Sequence, residues 1–240
     1  MPLMRLDKFF ASQEILTRKE IRPLLKKGNI KINGVLAKAP DQKIDTENDV
    51  IMLFNQIISY QPYVYLMLNK PQGYVSSTND KINKTVLDLV PNELFRSGLF
   101  PAGRLDKDST GFVLLTNDGD FSHRILSPKN HVPKIYIVRI DNEISDENIK
   151  NIESGVTLAD GYQCRPCEIE MLENSENPLL KVILHEGKYH EIKRMFGVYD
   201  CGVLSLKRIQ IGGLKLDENL PEGSVKVILH NDVESILFNF

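Results

Sequence analysis

GRLDKDSTGFVLLTNDG, residues 103–119, is the stretch from which the rest of the chain can be read. Phe112-Val113-Leu114-Leu115 is a continuous apolar run closed by the polar turn Asn117-Asp118-Gly119. Such a run, too short for a buried helix and ended by turn residues, predicts a strand covered on both faces. The run leaves a polar loop in which Asp106 stands between Arg104 and Lys107. A loop aspartate most often does no more than cap a turn. An acid fenced by cations at the rim of a buried sheet predicts instead a loop that carries chemistry.

Working outward, the 240 residues allow one large domain, or a large one joined to a small one. With 42% apolar residues a substantial core can form. No apolar stretch approaches the roughly 20 residues that cross a bilayer, so no membrane partner is expected. The start, MPLMRLDKFFASQE, has a charge inside every apolar segment and does not read as a signal peptide. Three cysteines, Cys164, Cys167 and Cys201, suit a reducing cytoplasm better than a disulfide framework. Cys164 and Cys167 have the spacing of half a zinc site, but no second pair exists, and they read as ordinary cysteines.

The formal net charge of −2 conceals an asymmetry. Residues 1–58 are net +3 and the remainder net −5, which predicts a basic module, 1–58, on a mildly acidic body, 59–240. In the module, Leu6, Phe9 and Phe10 fall on one face of a short helix. Thr17 with Glu20 forms a capping-box pattern for a second helix running to about Lys27 and stopped by Gly28. Asn33-Gly34 between two short apolar runs signals a hairpin, and residues 49–53 a further strand. Arg18, Lys19, Arg22, Lys26 and Lys27 give the second helix a basic face. Taken alone, that face is as compatible with plain solvation as with nucleic acid. Residues 55–62 read as a linker.

The body shows strands at 63–68, 134–140 and 179–184, with more toward the C-terminus. Helical stretches are expected at 86–90, 122–126, 145–154 and 188–196. Strands dominate and do not alternate with helices, so the fold class is α+β, with a mixed, largely antiparallel sheet and flanking helices.

Four segments, LNKPQGYVSST (68–78), GRLDKDSTGFVLLTNDG (103–119), KIYIV (134–138) and EGKYHEIKRMF (186–196), with the late IGGL (211–214), resemble the bacterial pseudouridine synthases. The likeness is nearest to the small-subunit ribosomal type (the RsuA family) and spans essentially the whole chain. The segment TRKEIRPLLKKGNIKINGVLAKAPDQKI resembles the S4 RNA-binding domain, which grips structured RNA through a basic helix. The resemblance implies an S4-like module followed by a catalytic domain of the pseudouridine synthase fold. It implies isomerisation of a uridine to its C-glycoside, without cofactor or metal, by a monomer. The target would be 16S rRNA or a small-subunit assembly intermediate, at uridine 516 of that RNA.

By the same resemblance, Asp106 is the essential catalytic carboxylate, either attacking the sugar or taking a proton from it. Lys193 is the cation that keeps it ionised, since a lone carboxylate in a covered pocket tends to take up a proton. Tyr136 stacks on the target base, which must leave its helix to react. Leu206 supplies an apolar wall. Arg104 fills the place of the flipped base or braces the loop, and Arg194 meets phosphate. His185 and His190 read as packing or hydrogen-bonding residues, because no Ser or Cys nucleophile is signalled beside them. Glu191 stands where relatives often carry Gln, in reach of Lys or Arg side chains; Phe112 replaces a usual Leu, and Lys188 an Arg. Two alternatives stay open: a 23S rRNA synthase, and a non-catalytic S4-type assembly factor.

Overall fold

The computed structural model describes residues 3–127, 129–130 and 132–237. The chain divides into two compact units, 1–64 with 92–98, and 65–91 with 99–240.

The first unit runs β1 (Leu3–Arg5), α1 (Leu6–Ser12), α2 (Arg18–Lys26), β2 (Ile30–Ile32), β3 (Val35–Leu36), β4 (Lys43–Asp45), β5 (Ile51–Leu53) and β6 (Gln56–Ile58). β1 pairs with β4, and a four-stranded sheet follows the order β3-β2-β5-β6. Leu6, Phe9 and Phe10 of α1 and Ile21 of α2 are buried against Ile30, Ile44 and Ile51. α2 begins as its capping box predicts: Thr17 N donates to Glu20 Oε2 (2.7 Å) and Glu20 N to Thr17 Oγ1 (3.4 Å). Asn33 and Gly34 both take positive φ, as a two-residue hairpin of this hand requires. Residues 56–58 of the expected 55–62 linker extend the sheet as β6, and residues 59–62 carry no regular element. The sequence signal there is weak because β6 lies at a sheet edge, half of its surface in water.

The second unit runs β7 (Tyr65–Lys70), a 3₁₀ turn (Val86–Leu89), β8 (Phe100–Ala102), β9 (Thr110–Thr116), α3 (Gly119–Leu126), β10 (Lys134–Ile140), α4 (Asp146–Glu153), β11 (Glu168–Glu173), β12 (Leu179–Leu184), α5 (Glu191–Gly197), β13 (Val203–Ile211), β14 (Leu214–Lys215), β15 (Val225–Val227) and α6 (His230–Glu234). Its nine-stranded sheet follows the order β11-β12-β10-β13-β9-β7-β15, with β14 on β13 and β8 on β9. β13 lies parallel to β9, and the other pairings are antiparallel. The sheet is therefore mixed and largely antiparallel, with helices flanking it. Two boundaries differ from expectation. The last described residues are helical, 230–234 and 235–237, rather than strand. α5 starts at Glu191, so 188–190 belong to a loop.

β9 explains the continuous apolar run. It sits at the centre of the sheet, and Phe112, Val113, Leu114 and Leu115 are all fully buried. Phe112 and Leu114 pack with Tyr65, Met67, Phe121 and Ile125 in the main core. β9 also changes neighbours along its length. Thr110 and Gly111 pair with β13, whereas Leu114 to Thr116 pair with β8. The loop 103–109 leaves the sheet at this change of partner.

Candidate active site

Loop 103–109 is held mainly through its backbone, with Lys107 Nζ also donating to Asn83 Oδ1 (2.7 Å). Leu105 exchanges two hydrogen bonds with Ser76 Oγ, accepting at 2.9 Å and donating at 3.0 Å. Lys107 O accepts from Gly73 N (2.8 Å), and Asp106 O from Ser109 N (3.2 Å). Arg208 on β13 donates Nε to Phe112 O (2.8 Å) and a terminal nitrogen to Arg104 O (3.3 Å), filling the gap between β8 and β13. Lys70, at the end of β7, is fully buried and donates to Ser109 O (2.6 Å), Pro71 O (3.1 Å) and Lys107 O (3.3 Å). The segment 70–76 is thus the cradle of the loop, and Lys70 is its central tie.

Burial pushes Lys70 down to about 8, against the pull of Asp108 and Asp106. Lys70→Met would remove the shared donor from three buried carbonyls, at a cost of about 2–3 kcal/mol. Folded Lys70 sheds its proton before the unfolded chain does, so the wild type gains stability as pH rises from about 8 toward the ordinary 10.5. Urea unfolding should therefore show a gap between wild type and K70M that widens over that range.

The loop delivers Asp106 to a cleft of about 740 Å³, a size suited to a small ligand or a single nucleotide. Tyr136 from β10, Leu206 from β13 and Arg104 line the same cleft, as do His190 and Lys193. Asp106 keeps 27% of its side chain exposed, enough to reach a ligand. Lys193 Nζ lies 3.9 Å from Asp106 Oδ2 but 2.5 Å from Asp108 Oδ2. Lys193 thus bridges two carboxylates, with the tighter bond to Asp108. That hydrogen bond holds the Asp108 carboxyl below its ordinary value, in spite of partial burial. Asp108 is 65% exposed, so the pair adds little stability. Its effect is to place the ammonium beside Asp106.

His190 Nε2 lies 3.5 Å from Asp106 Oδ1. Read in the sequence as a packing or hydrogen-bonding residue, His190 is a neighbour of the acid, stacked on Tyr189 with ring centroids 3.8 Å apart. Its position depends on a left-handed backbone conformation at φ 51°, which no spacing in the sequence announces. Arg194 lies outside the cleft lining and pairs with Asp160 at 2.5 Å. Cys164 and Cys167 are buried, and burial pushes their thiols up to about 11 and about 12. On α2 in the other unit, Arg18, Lys19, Arg22 and Lys26 are exposed, as is Lys27 just after it.

The cleft thus brings together a carboxylate with a lysine and a histidine beside it, an aromatic wall and an apolar wall. Comparison with known proteins decides the family. Residues 64–197 match the family described as RNA pseudouridylate synthase. The chain belongs to that family. Residues 4–51 match the S4 domain. An uncharacterized RNA pseudouridine synthase of Bacillus subtilis is 40% identical over 96% of this chain and 97% of its own. A ribosomal small subunit pseudouridine synthase A of Vibrio vulnificus is 37% identical over 97% and 99%. A crystal structure of a pseudouridylate synthase superimposes with a TM-score of 0.68 at 35% identity, covering 97% of this chain and 99% of that one. The matched pseudouridylate synthase region contains the cradle, Asp106, Tyr136, His190 and Lys193; Leu206 and Arg208 follow it on β13.

Proposed function

We propose that this pseudouridine synthase isomerises one uridine of small-subunit rRNA, with Asp106 as the essential carboxylate on a flipped-out nucleotide. The observation that carries the reading is the Asp106 side chain, part-exposed in a cleft and flanked by Lys193 and His190, on a loop tied down by its backbone. The nucleoside loses its N1–C1′ bond, the uracil turns, and C5 bonds to C1′. The C5 proton leaves and N1 gains one, so the product is an isomer and no redox partner is needed. An ionised carboxylate beside the sugar serves this as nucleophile or as base. Lys193 and, when protonated, His190 favour that ionised form. Tyr136 offers its ring to the displaced base and Leu206 closes the pocket beside it. Arg104 meets the RNA at the mouth of the cleft, and Arg18, Lys19, Arg22, Lys26 and Lys27 bind phosphates through the S4 domain.

The small-subunit target rests on full-length relatives that carry that designation. Uridine 516 of 16S rRNA is the position proposed. Mapping pseudouridines in rRNA from cells lacking the protein is expected to show one missing site in 16S rRNA, restored by the wild-type gene. A missing site in 23S rRNA instead would move the enzyme to the large subunit. No missing site, with binding to immature subunits intact, would favour an assembly factor.

A further inference from the structure

Two carboxyl groups that the reaction does not use stand at the two ends of the loop bearing His190. Glu186 and Glu191 are 7% and 4% exposed and line the same cleft, and each carboxyl acts on the other electrostatically. Glu186 also accepts from Tyr162 Oη (2.6 Å) and Arg165 N (2.8 Å), which anchors it to the segment between α4 and β11. Glu191 Oε2 accepts from Lys188 N (2.8 Å). Among the described residues no N–H or O–H donor reaches the buried Glu191 Oε1. The Glu186 carboxylate that acts on it is also an acceptor, so a hydrogen bond between the two side chains requires a proton.

We propose that Glu191 is a positioning residue: as a neutral acid it donates to Glu186, closes the loop 187–190, and so holds His190 and Lys193 at Asp106. The role rests on the reading of Asp106 given above. The loop needs such a clasp. His190 sits in a left-handed conformation that a non-glycine residue keeps only when its surroundings enforce it. Tyr189, stacked on it, is 73% exposed and buries little. Glu191 is the first residue of α5, and Lys193 follows in the next half-turn.

The electrostatics agree with this geometry. Burial, with Glu186 beside it, pushes Glu191 up to about 7. Burial also pushes Glu186 up, but hydrogen bonds from Glu191, Tyr162 and Arg165 N outweigh it and leave Glu186 below its ordinary value. The pair thus shares one proton, carried on Glu191. The clasp is complete below the ordinary value of 4.5 and is lost as pH rises through about 7. The groups around the pair titrate higher. Tyr162, bonded to Glu186, lies at about 12, and Cys164 and Cys167 at about 11 and about 12. The Arg165 guanidinium, 4.0 Å from Glu186, and Lys188 over the Tyr162 ring carry fixed charge. Lys134 on β10 is lowered by burial to about 8, and His185 and His190, next to Glu186 and Glu191 in the chain, line the same cleft.

The test compares full-length wild type, E191Q and E191A in pseudouridine formation from pH 6 to 9. Gln is a donor at every pH. Wild-type turnover is expected to fall about tenfold between pH 7 and 8.5, while E191Q holds its neutral rate across that range. E191A is expected to be slow throughout. An alkaline limb that persists in E191Q belongs to Lys134 or Lys70 and overturns the proposal. So does E191A with a wild-type profile. A second measurement is independent of turnover: infrared difference spectra should show a protonated carboxyl in wild type that titrates near pH 7 and is missing in E191Q. Its absence from the wild type refutes the clasp whatever reaction the enzyme performs. Its presence in an inactive wild type would retain the proton on Glu191 and refute instead the reading of Asp106.

Discussion

Asp106→Asn is expected to abolish pseudouridine formation, by about 10⁴-fold or more, and to leave RNA affinity within about twofold. The substitution is nearly isosteric. The loop is held by the backbone groups of residues 104, 105, 107 and 109 rather than by the Asp106 side chain, so its conformation should survive. What disappears is the negative charge facing Lys193 and His190, and with it both a nucleophile and a base. The S4 domain, with its exposed cations, is untouched. Product formation and RNA binding therefore have to be measured separately on the same preparation. A mutant that still makes pseudouridine would refute the assignment of Asp106. Equal loss of binding and product would mean that Asp106 serves RNA binding rather than chemistry.

Gly111→Ala should be severely damaging, costing about 4 kcal/mol or more. Gly111 pairs with Arg208 where parallel β13 meets β9, and its φ is +98°. A Cβ there would collide with the Arg208 carbonyl oxygen and stand 2.9 Å from Arg208 N. These are backbone atoms of a central strand, so neither can yield without breaking the junction. Arg208 would also lose its hold on Phe112 O and Arg104 O, releasing loop 103–109. Gly34→Ala is the control. Its φ of +80° is also unfavourable to alanine, but nothing lies within 4 Å, so only about 1 kcal/mol should be lost. Urea unfolding measures both. Similar losses in the two variants would show that the β9–β13 register is not the constraint.

Much of this was legible before any coordinates. Thr17 and Glu20 announce a helix start, Asn33-Gly34 a hairpin, and the apolar run 112–115 a central strand, because each depends on neighbours within a few residues. The likeness to known synthases picked out Asp106 in 103–119, Tyr136 in 134–138 and Lys193 in 186–196, together with Leu206, and all four line one cleft. Lys70 was passed over because a lysine ending a strand beside Pro71 reads as a solvated turn. Only the fold shows it buried under three carbonyls. Glu191 was expected to meet basic side chains. It is buried at the start of α5, where its Oε2 accepts from Lys188 N and Glu186 acts on it electrostatically. Arg194 was expected at phosphate and is paired with Asp160.

The sequence by itself determined the basic first module, the α+β class, the family and the acid on its loop. All are carried by local pattern or by long motifs. Tertiary structure alone decided what surrounds the acid. Lys193 leans on Asp108, His190 reaches Asp106 from a left-handed backbone conformation of its own, and Glu186 and Glu191 are buried in the same cleft. Distances between side chains far apart in the chain, and the loss of water around them, set those interactions. Neither quantity is written in the order of the residues.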